Sequence, residues 1–132
     1  MRRTAGKQGF TLIELLVVIA IIGIVVTVAV GQYRQSILKA KEAVLRQDLY
    51  VMRTAINQYF ADKGKYPADL ESLVSDSYLY KIPLDPITGS SETWTTQQAE
   101  MGDEDISQEP GINDVKSGAE GIALDGSSYA EW

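Results

Sequence analysis

Two stretches of this sequence carry side chains whose types and spacing can do chemistry. The first is Gly9-Phe10-Thr11-Leu12-Ile13-Glu14, which follows the basic residues Arg2, Arg3 and Lys7. From Phe10 to Val30 the chain reads FTLIELLVVIAIIGIVVTVAV, 21 residues whose only charge is Glu14. If the chain is cut after Gly9, Phe10 gains a free α-amine, positive at neutral pH. A carboxylate four residues on can then pair with the amine of a neighbouring copy. Out of water a single axial stagger satisfies both charges, so such a pair sets register between copies. Glu14 reads equally well as an interfacial carboxylate that snorkels to the lipid headgroups with no partner. The second stretch is a set of Gly-Asp turns: Asn113-Asp114, Ser117-Gly118-Ala119-Glu120-Gly121 and Asp125-Gly126-Ser127. They offer carboxylate and carbonyl oxygens, of which a hard cation such as calcium takes about 6–8. EF-hand spacing is missing, and composition alone reads these turns as a solvated acidic loop.

Most other chemistry is excluded by what the sequence lacks. It contains no cysteine and no histidine. A disulfide framework, a thiolate nucleophile, a Ser-His-Asp triad, a Cys/His zinc site and c-type haem attachment are all ruled out. An enzyme built on paired carboxylates has no spacing signature here. Only Asp103-Glu104-Asp105 cluster, and a charge run of that kind is ordinarily a solvated loop. The formal net charge of −6 argues against a nucleic-acid partner.

The elements that must position these residues follow from charge and periodicity. As a helix the 21-residue apolar run spans about 31 Å, enough to cross a bilayer core. The positive flank before it places that end in the cytoplasm. Residues 10–81 hold 8 basic and 7 acidic groups, whereas residues 82–132 hold 1 basic and 11 acidic. A region that acidic repels itself unless bound cations, a basic neighbour or solvation relieve it. Past Val30 the pattern turns amphipathic. Leu38, Leu45, Leu49, Met52, Ile56 and Phe60 make one stripe, and Tyr33, Ile37, Ala40, Val44, Val51, Ala55 and Tyr59 a second beside it. Lys39, Lys41, Glu42, Arg46, Asp48 and Arg53 fill the rest, and their alternating charge facing the acidic region predicts salt bridges between subunits, screened by salt. No proline interrupts residues 10–66, so the sequence predicts one helix from about Phe10 to about Asp62, stopped at Lys63-Gly64. A short helix starting at Ala68 or Asp69 follows, with Leu70, Leu73 and Val74 inward. Pro83 to Gly89 is turn chemistry. Thr93 to Thr96 and Ile112 to Val115 have strand propensity, and Gln97 to Pro110 reads as loop. Tyr78, Tyr80, Trp94 and Trp132 are expected in the core ahead of a partner groove. The expected class is α+β, with a long N-terminal helix, half membrane and half amphipathic, packed on a small antiparallel sheet.

Gly9-Phe10-Thr11-Leu12-Ile13-Glu14 behind a short basic leader closely resembles the class III signal of type IV prepilins, the family of pilins and of the pseudopilins of type II secretion. Three further segments are similar to the major pseudopilins: NQYFADKGKYPADLESLV (57–74), IPLDPITG (82–89) and GINDVKSGAEGIALDGSSYAEW (111–132). The missing cysteines agree, because many pilins close a C-terminal loop with a disulfide. The resemblance implies a pilin-like fold in three parts: a cleaved leader (1–9), a membrane and assembly half-helix (10–31) and a periplasmic globular domain (32–132). It implies that a prepilin peptidase cuts between Gly9 and Phe10 and methylates the new amine, and that Glu14 acts in subunit docking. It implies calcium in the C-terminal loop, with Asp125, Asp114 and Glu120 as ligands beside carbonyls near Val115 and Ser117. Glutamate stands at 120 where the family often has aspartate. Glycine stands at 31 where many members have proline; Gly23 and Gly31 read either as points of local unwinding, since glycine weakens a helix by about 1 kcal/mol relative to alanine, or as ordinary close-packing glycines of a membrane helix.

The expected function is structural, that of a subunit that waits in the inner membrane as a single-pass protein with its N-terminus cytoplasmic. It then polymerises through its apolar helix into a periplasmic pseudopilus that drives protein export, with an ATPase elsewhere supplying the work. Expected partners are copies of itself, the prepilin peptidase, an inner-membrane assembly platform, other pseudopilins and lipid, and not nucleic acid. The alternatives are a type IV pilin for adhesion, motility or DNA uptake, and a membrane-tethered binding module that does not polymerise.

Overall fold

The computed structural model describes residues 9–102 and 109–132. Arg2, Arg3, Lys7 and the Asp103-Glu104-Asp105 cluster lie outside the described residues. In chain order the elements are α1 (Leu12–Lys63), α2 (Leu70–Ser75), β1 (Thr95–Gln98), β2 (Ile112–Lys116) and a 3-10 turn over Tyr129–Glu131. The chain divides into two compact units between Ile37 and Leu38.

The first unit is helical and buries nothing: every described residue up to Ile37 is exposed. An 18-residue window in this part of α1 has a mean hydropathy of 3.0, long and apolar enough to cross a membrane. An apolar surface this continuous calls for lipid or other apolar helices around it.

The second unit is organised by one face of α1. Leu45, Leu49, Met52 and Ile56 are fully or almost fully buried, with Ala55 and Tyr59 beside them. These positions recur at three- and four-residue intervals and bring one stripe inward. Against them pack Leu70 and Leu73 of α2, Leu79, Trp94, Ile112 and Val115 of β2, Ala119, Ala123 and Tyr129. Much of the second predicted stripe stays outside, with Tyr33, Ile37, Val44 and Val51 exposed. Gly64 ends α1 with a positive φ of 69°, and its N–H donates to the Phe60 carbonyl oxygen at 2.8 Å. Asp69 caps α2, accepting from the Ser72 N–H at 2.8 Å.

The sheet is two antiparallel strands. Thr96 faces Val115 and Gln97 faces Asp114, but Gln98 faces Ile112, so Asn113 is the extra residue of a bulge. Strand β1 lies two residues later than the propensity of Thr93 to Thr96 predicts. All four of its residues are exposed, so the ladder with β2, not burial, makes it a strand. Trp94 is held just before it, buried, with its indole N–H donating to the Pro83 carbonyl oxygen at 2.8 Å. Asp85 is fully buried in the proline turn, accepting from the Ile87 N–H at 2.8 Å and the Ser117 hydroxyl at 2.5 Å. Of the four aromatic residues expected in the core, Trp94 is buried, Tyr78 and Trp132 are partly buried, and Tyr80 is 95% exposed.

Candidate functional site

Gly9, Phe10 and Thr11 precede the helix and are not helical, and all three are exposed. The Gly9–Phe10 peptide bond therefore lies outside the helix and is exposed. A Cβ built on Gly9 meets nothing within 4 Å, and its φ is not in the left-handed region. Among the described residues, nothing in this chain's own packing asks for glycine there.

Thr11 and Glu14 form a reciprocal cap. The Thr11 N–H donates to Glu14 Oε2 at 3.1 Å, and the Glu14 N–H donates to Thr11 Oγ1 at 3.3 Å. This is a capping box, with threonine at the N-cap and glutamate three residues on, and it satisfies backbone donors that the first turn leaves free. The motif Thr-x-x-Glu was legible in the sequence, although the reading above assigns Glu14 to a neighbour or to lipid. The cap adds a role within the subunit, and Glu14 remains exposed.

The C-terminal candidates are placed by α1. Glu42, Arg46, Leu49 and Arg53 are spaced four, three and four residues apart and share one face. Glu42 is buried at 8% exposure. Its Oε1 accepts from the Tyr129 hydroxyl at 2.7 Å and from the Leu124 N–H at 2.9 Å. Burial, then the bond to Glu42, pushes the Tyr129 phenol up to about 12. Arg46 donates to Asp125 Oδ2 at 3.1 Å, and its guanidinium lies 4.0 Å from the centre of the Trp132 ring. Arg53 donates from Nε to Asp114 Oδ1 at 2.8 Å and from Nη2 to the Val115 carbonyl at 2.9 Å and the Trp132 main-chain oxygen at 2.6 Å. The Trp132 indole N–H donates to Ser127 Oγ at 2.6 Å, and the Tyr129 and Trp132 rings meet edge to face at 5.2 Å.

Asp125 Oδ1 accepts from the Ser127 hydroxyl at 2.5 Å and the Ser127 N–H at 2.9 Å. These bonds, with Arg46 beside them, hold its carboxyl below the usual carboxylate range. Of the three carboxylates expected around calcium, Asp125 is thus paired with Arg46, Asp114 with Arg53, and Glu120 is exposed. Among the described residues no three carboxylates converge where a metal ion could be held. Asn113 Oδ1 in the β2 bulge is buried without a partner, and one amide oxygen is far short of the six ligands calcium takes. The side chains as placed do not fit the ion. Arg46 and Arg53, expected to bridge subunits, instead bind their own chain's C-terminal segment. Glu42, expected on the surface, is buried beneath that segment. Partners at least 61 positions away in sequence gave no local signal of these roles.

A helix that begins with a capped, apolar, lipid-length segment and goes on to organise a small α+β domain defines a pilin-like subunit. Residues 4–30 match the prokaryotic N-terminal methylation motif. The chain is 34% identical to type II secretion system core protein G of Pseudomonas aeruginosa, over 61% of this chain and 68% of that protein. It is 31% identical to the protein of the same name in Escherichia coli, over 65% of this chain and 70% of that protein. A type IV major pilin of Neisseria gonorrhoeae is 40% identical, but over only 46% of this chain and 37% of the pilin. No solved structure matches significantly. The chain belongs to the family of the type II secretion core protein G, the major pseudopilins.

Proposed function

We infer that this chain is the structural subunit of a type II secretion pseudopilus. The observation that carries this is the reach of the likeness: similarity to core protein G runs well beyond the N-terminal helix, whereas similarity to a type IV pilin covers less than half of the chain. The relatives it matches are a core protein of a secretion system and major pilins, which supports a structural role. In this reading a prepilin peptidase removes residues 1–9 and methylates the Phe10 amine. The exposed, non-helical Gly9–Phe10 bond supports this, as does a glycine that the packing of the described residues does not require. The mature subunit sits in the inner membrane by its apolar half-helix, with residues 32–132 on the periplasmic side. It then leaves the bilayer by docking that half-helix among those of other copies. Glu14 meets the Phe10 amine of a neighbour and sets the stagger.

The test is to express the full chain beside a prepilin peptidase and a secretion assembly platform, and to analyse the membrane fraction by mass spectrometry. A methylated amino terminus at Phe10, together with loss of exoprotein release when the gene is deleted, is the expected result. An uncut chain in membranes that hold the active peptidase, or secretion that continues without it, overturns the reading.

A further inference from the structure

We propose that the Arg53 guanidinium, with Arg46 beside it, is the cation of the C-terminal loop, so that the loop closes on α1 without calcium. Three oxygens from distant parts of the chain converge on Arg53: Asp114 Oδ1, the Val115 carbonyl and the Trp132 main-chain oxygen, at 2.8, 2.9 and 2.6 Å. A side-chain carboxylate oxygen and two main-chain oxygens are the donor types that a hard cation collects. Here a positive charge with N–H groups in a fixed planar fork already stands at their meeting point. A dication would have to displace the arginine or approach it against like charge.

The second carboxylate is used up in the same way. Asp125 spends Oδ1 on Ser127 and Oδ2 on Arg46. Ser127 in turn takes the Trp132 indole N–H, and Trp132 lies under Arg46. Asp114, Asp125 and Trp132 are thereby tied to two arginines two helical turns apart on α1. Arg53 and Asp114 are each about two-thirds shielded from solvent, so this pair is screened less than a surface pair. The acidic region after residue 82 carries 11 acids against 1 base, and the two arginines supply part of the positive charge that it lacks.

The experiment uses the purified full chain in detergent micelles. Melting is followed by circular dichroism, and tryptophan fluorescence is recorded, in excess calcium chloride and in excess chelator. The wild type is expected to give the same melting temperature and the same fluorescence in both. Arg53→Gln, which cannot reach three acceptors, is expected to melt about 5 °C lower under both conditions. A calcium-dependent rise of several degrees in the wild type overturns the proposal, as does an Arg53→Gln variant that melts like the wild type. Should that variant fail to fold, Asp114→Asn keeps the side chain's shape and removes only its charge. It is expected to melt lower than the wild type in dilute buffer, with the gap narrowing as salt is added. A gap that salt does not change counts against the proposal.

Discussion

Substituting Glu14 by glutamine and, separately, by alanine distinguishes its two roles. Within the subunit Glu14 closes the capping box with Thr11 through bonds of 3.1 and 3.3 Å, near the long end of ordinary hydrogen bonds. Such a bond is worth about 0.5–1 kcal/mol net, or a factor of about two to five in the equilibrium of the first helical turn. Glutamine keeps an acceptor oxygen in place and loses little of this; alanine loses the 3.1 Å bond and keeps the one from its own N–H to Thr11 Oγ1. Between subunits the sum is different. Removing one member of a charge pair buried in a low-dielectric bundle leaves the other uncompensated, at about 3–5 kcal/mol. That corresponds to roughly two to four orders of magnitude in subunit affinity. Counting filaments by electron microscopy in cells where immunoblotting shows equal amounts of inserted, processed monomer reads the difference. Both variants are expected to insert and to be cut, and both to lose filaments to the same degree. Glutamine filaments at wild-type abundance, with alanine mildly impaired, refute the intersubunit role and leave the cap as the whole function of Glu14.

Three further expectations concern the globular unit. Tyr129 ionises at about 12 when folded but near 10 when unfolded. Its contribution is therefore complete below about pH 10 and lost as pH rises through about 12. Melts of the wild type against Tyr129→Phe across that window should converge at high pH, and Glu42→Gln should bring the Tyr129 phenolate absorbance in earlier; parallel curves contradict the assignment. Gly118→Ala should cost roughly 2–3 kcal/mol in a urea titration, because its Cβ runs into the Thr93 carbonyl oxygen, and backbone cannot step aside as a side-chain tip can. An unchanged midpoint removes that argument. Leu45→Ala, at a fully buried position, should cost about 2–5 kcal/mol, whereas Val44→Ala next to it, half exposed, should stay within about 0.5 kcal/mol in the monomer. Equal losses would place the inward face of α1 elsewhere.

The helix was legible because its signals are local. Apolar residues repeat at three and four, no proline intrudes, and Gly64 supplies the left-handed stop, so the predicted end at Asp62 falls one residue from the observed one. The cap of α2 and the turn around Asp85 could be read for the same reason. Strand β1 was displaced because its residues bury nothing: Gln97 and Gln98 are strand only through their pairing with Asp114 and Ile112, and no propensity of theirs reports a partner across the chain. Most of the second apolar stripe on α1 was legible as a stripe but not as a surface that its own domain leaves uncovered.

The C-terminal site shows where single-sequence reasoning stops. Glu42, Arg46 and Arg53 read as charges outside the apolar stripes, although their spacing of four and seven residues sets them on one helical face, and the acidic surplus after residue 82 already called for cations or a basic neighbour. Which acids those arginines would meet depended on how residues 111–132 return to α1. That path is set by the burial of Val115, Ala119, Ala123 and Tyr129 against it, a packing fact with no sequence-local trace. Once that segment is down, Asp114 and Asp125 come to rest beside Arg53 and Arg46, and charges that read as a surface for neighbouring subunits become the closure of the subunit itself. The part of α1 left for neighbours is then the apolar half-helix with its capped Glu14, the exposed Tyr33, Ile37, Val44 and Val51, and the exposed cations Arg34, Lys39 and Lys41. The apolar contacts on that surface depend on exclusion from water and a pair buried in the bundle is shielded from ions, whereas Arg46 and Asp125 are more than half exposed, so added salt should weaken the C-terminal loop before it weakens the filament.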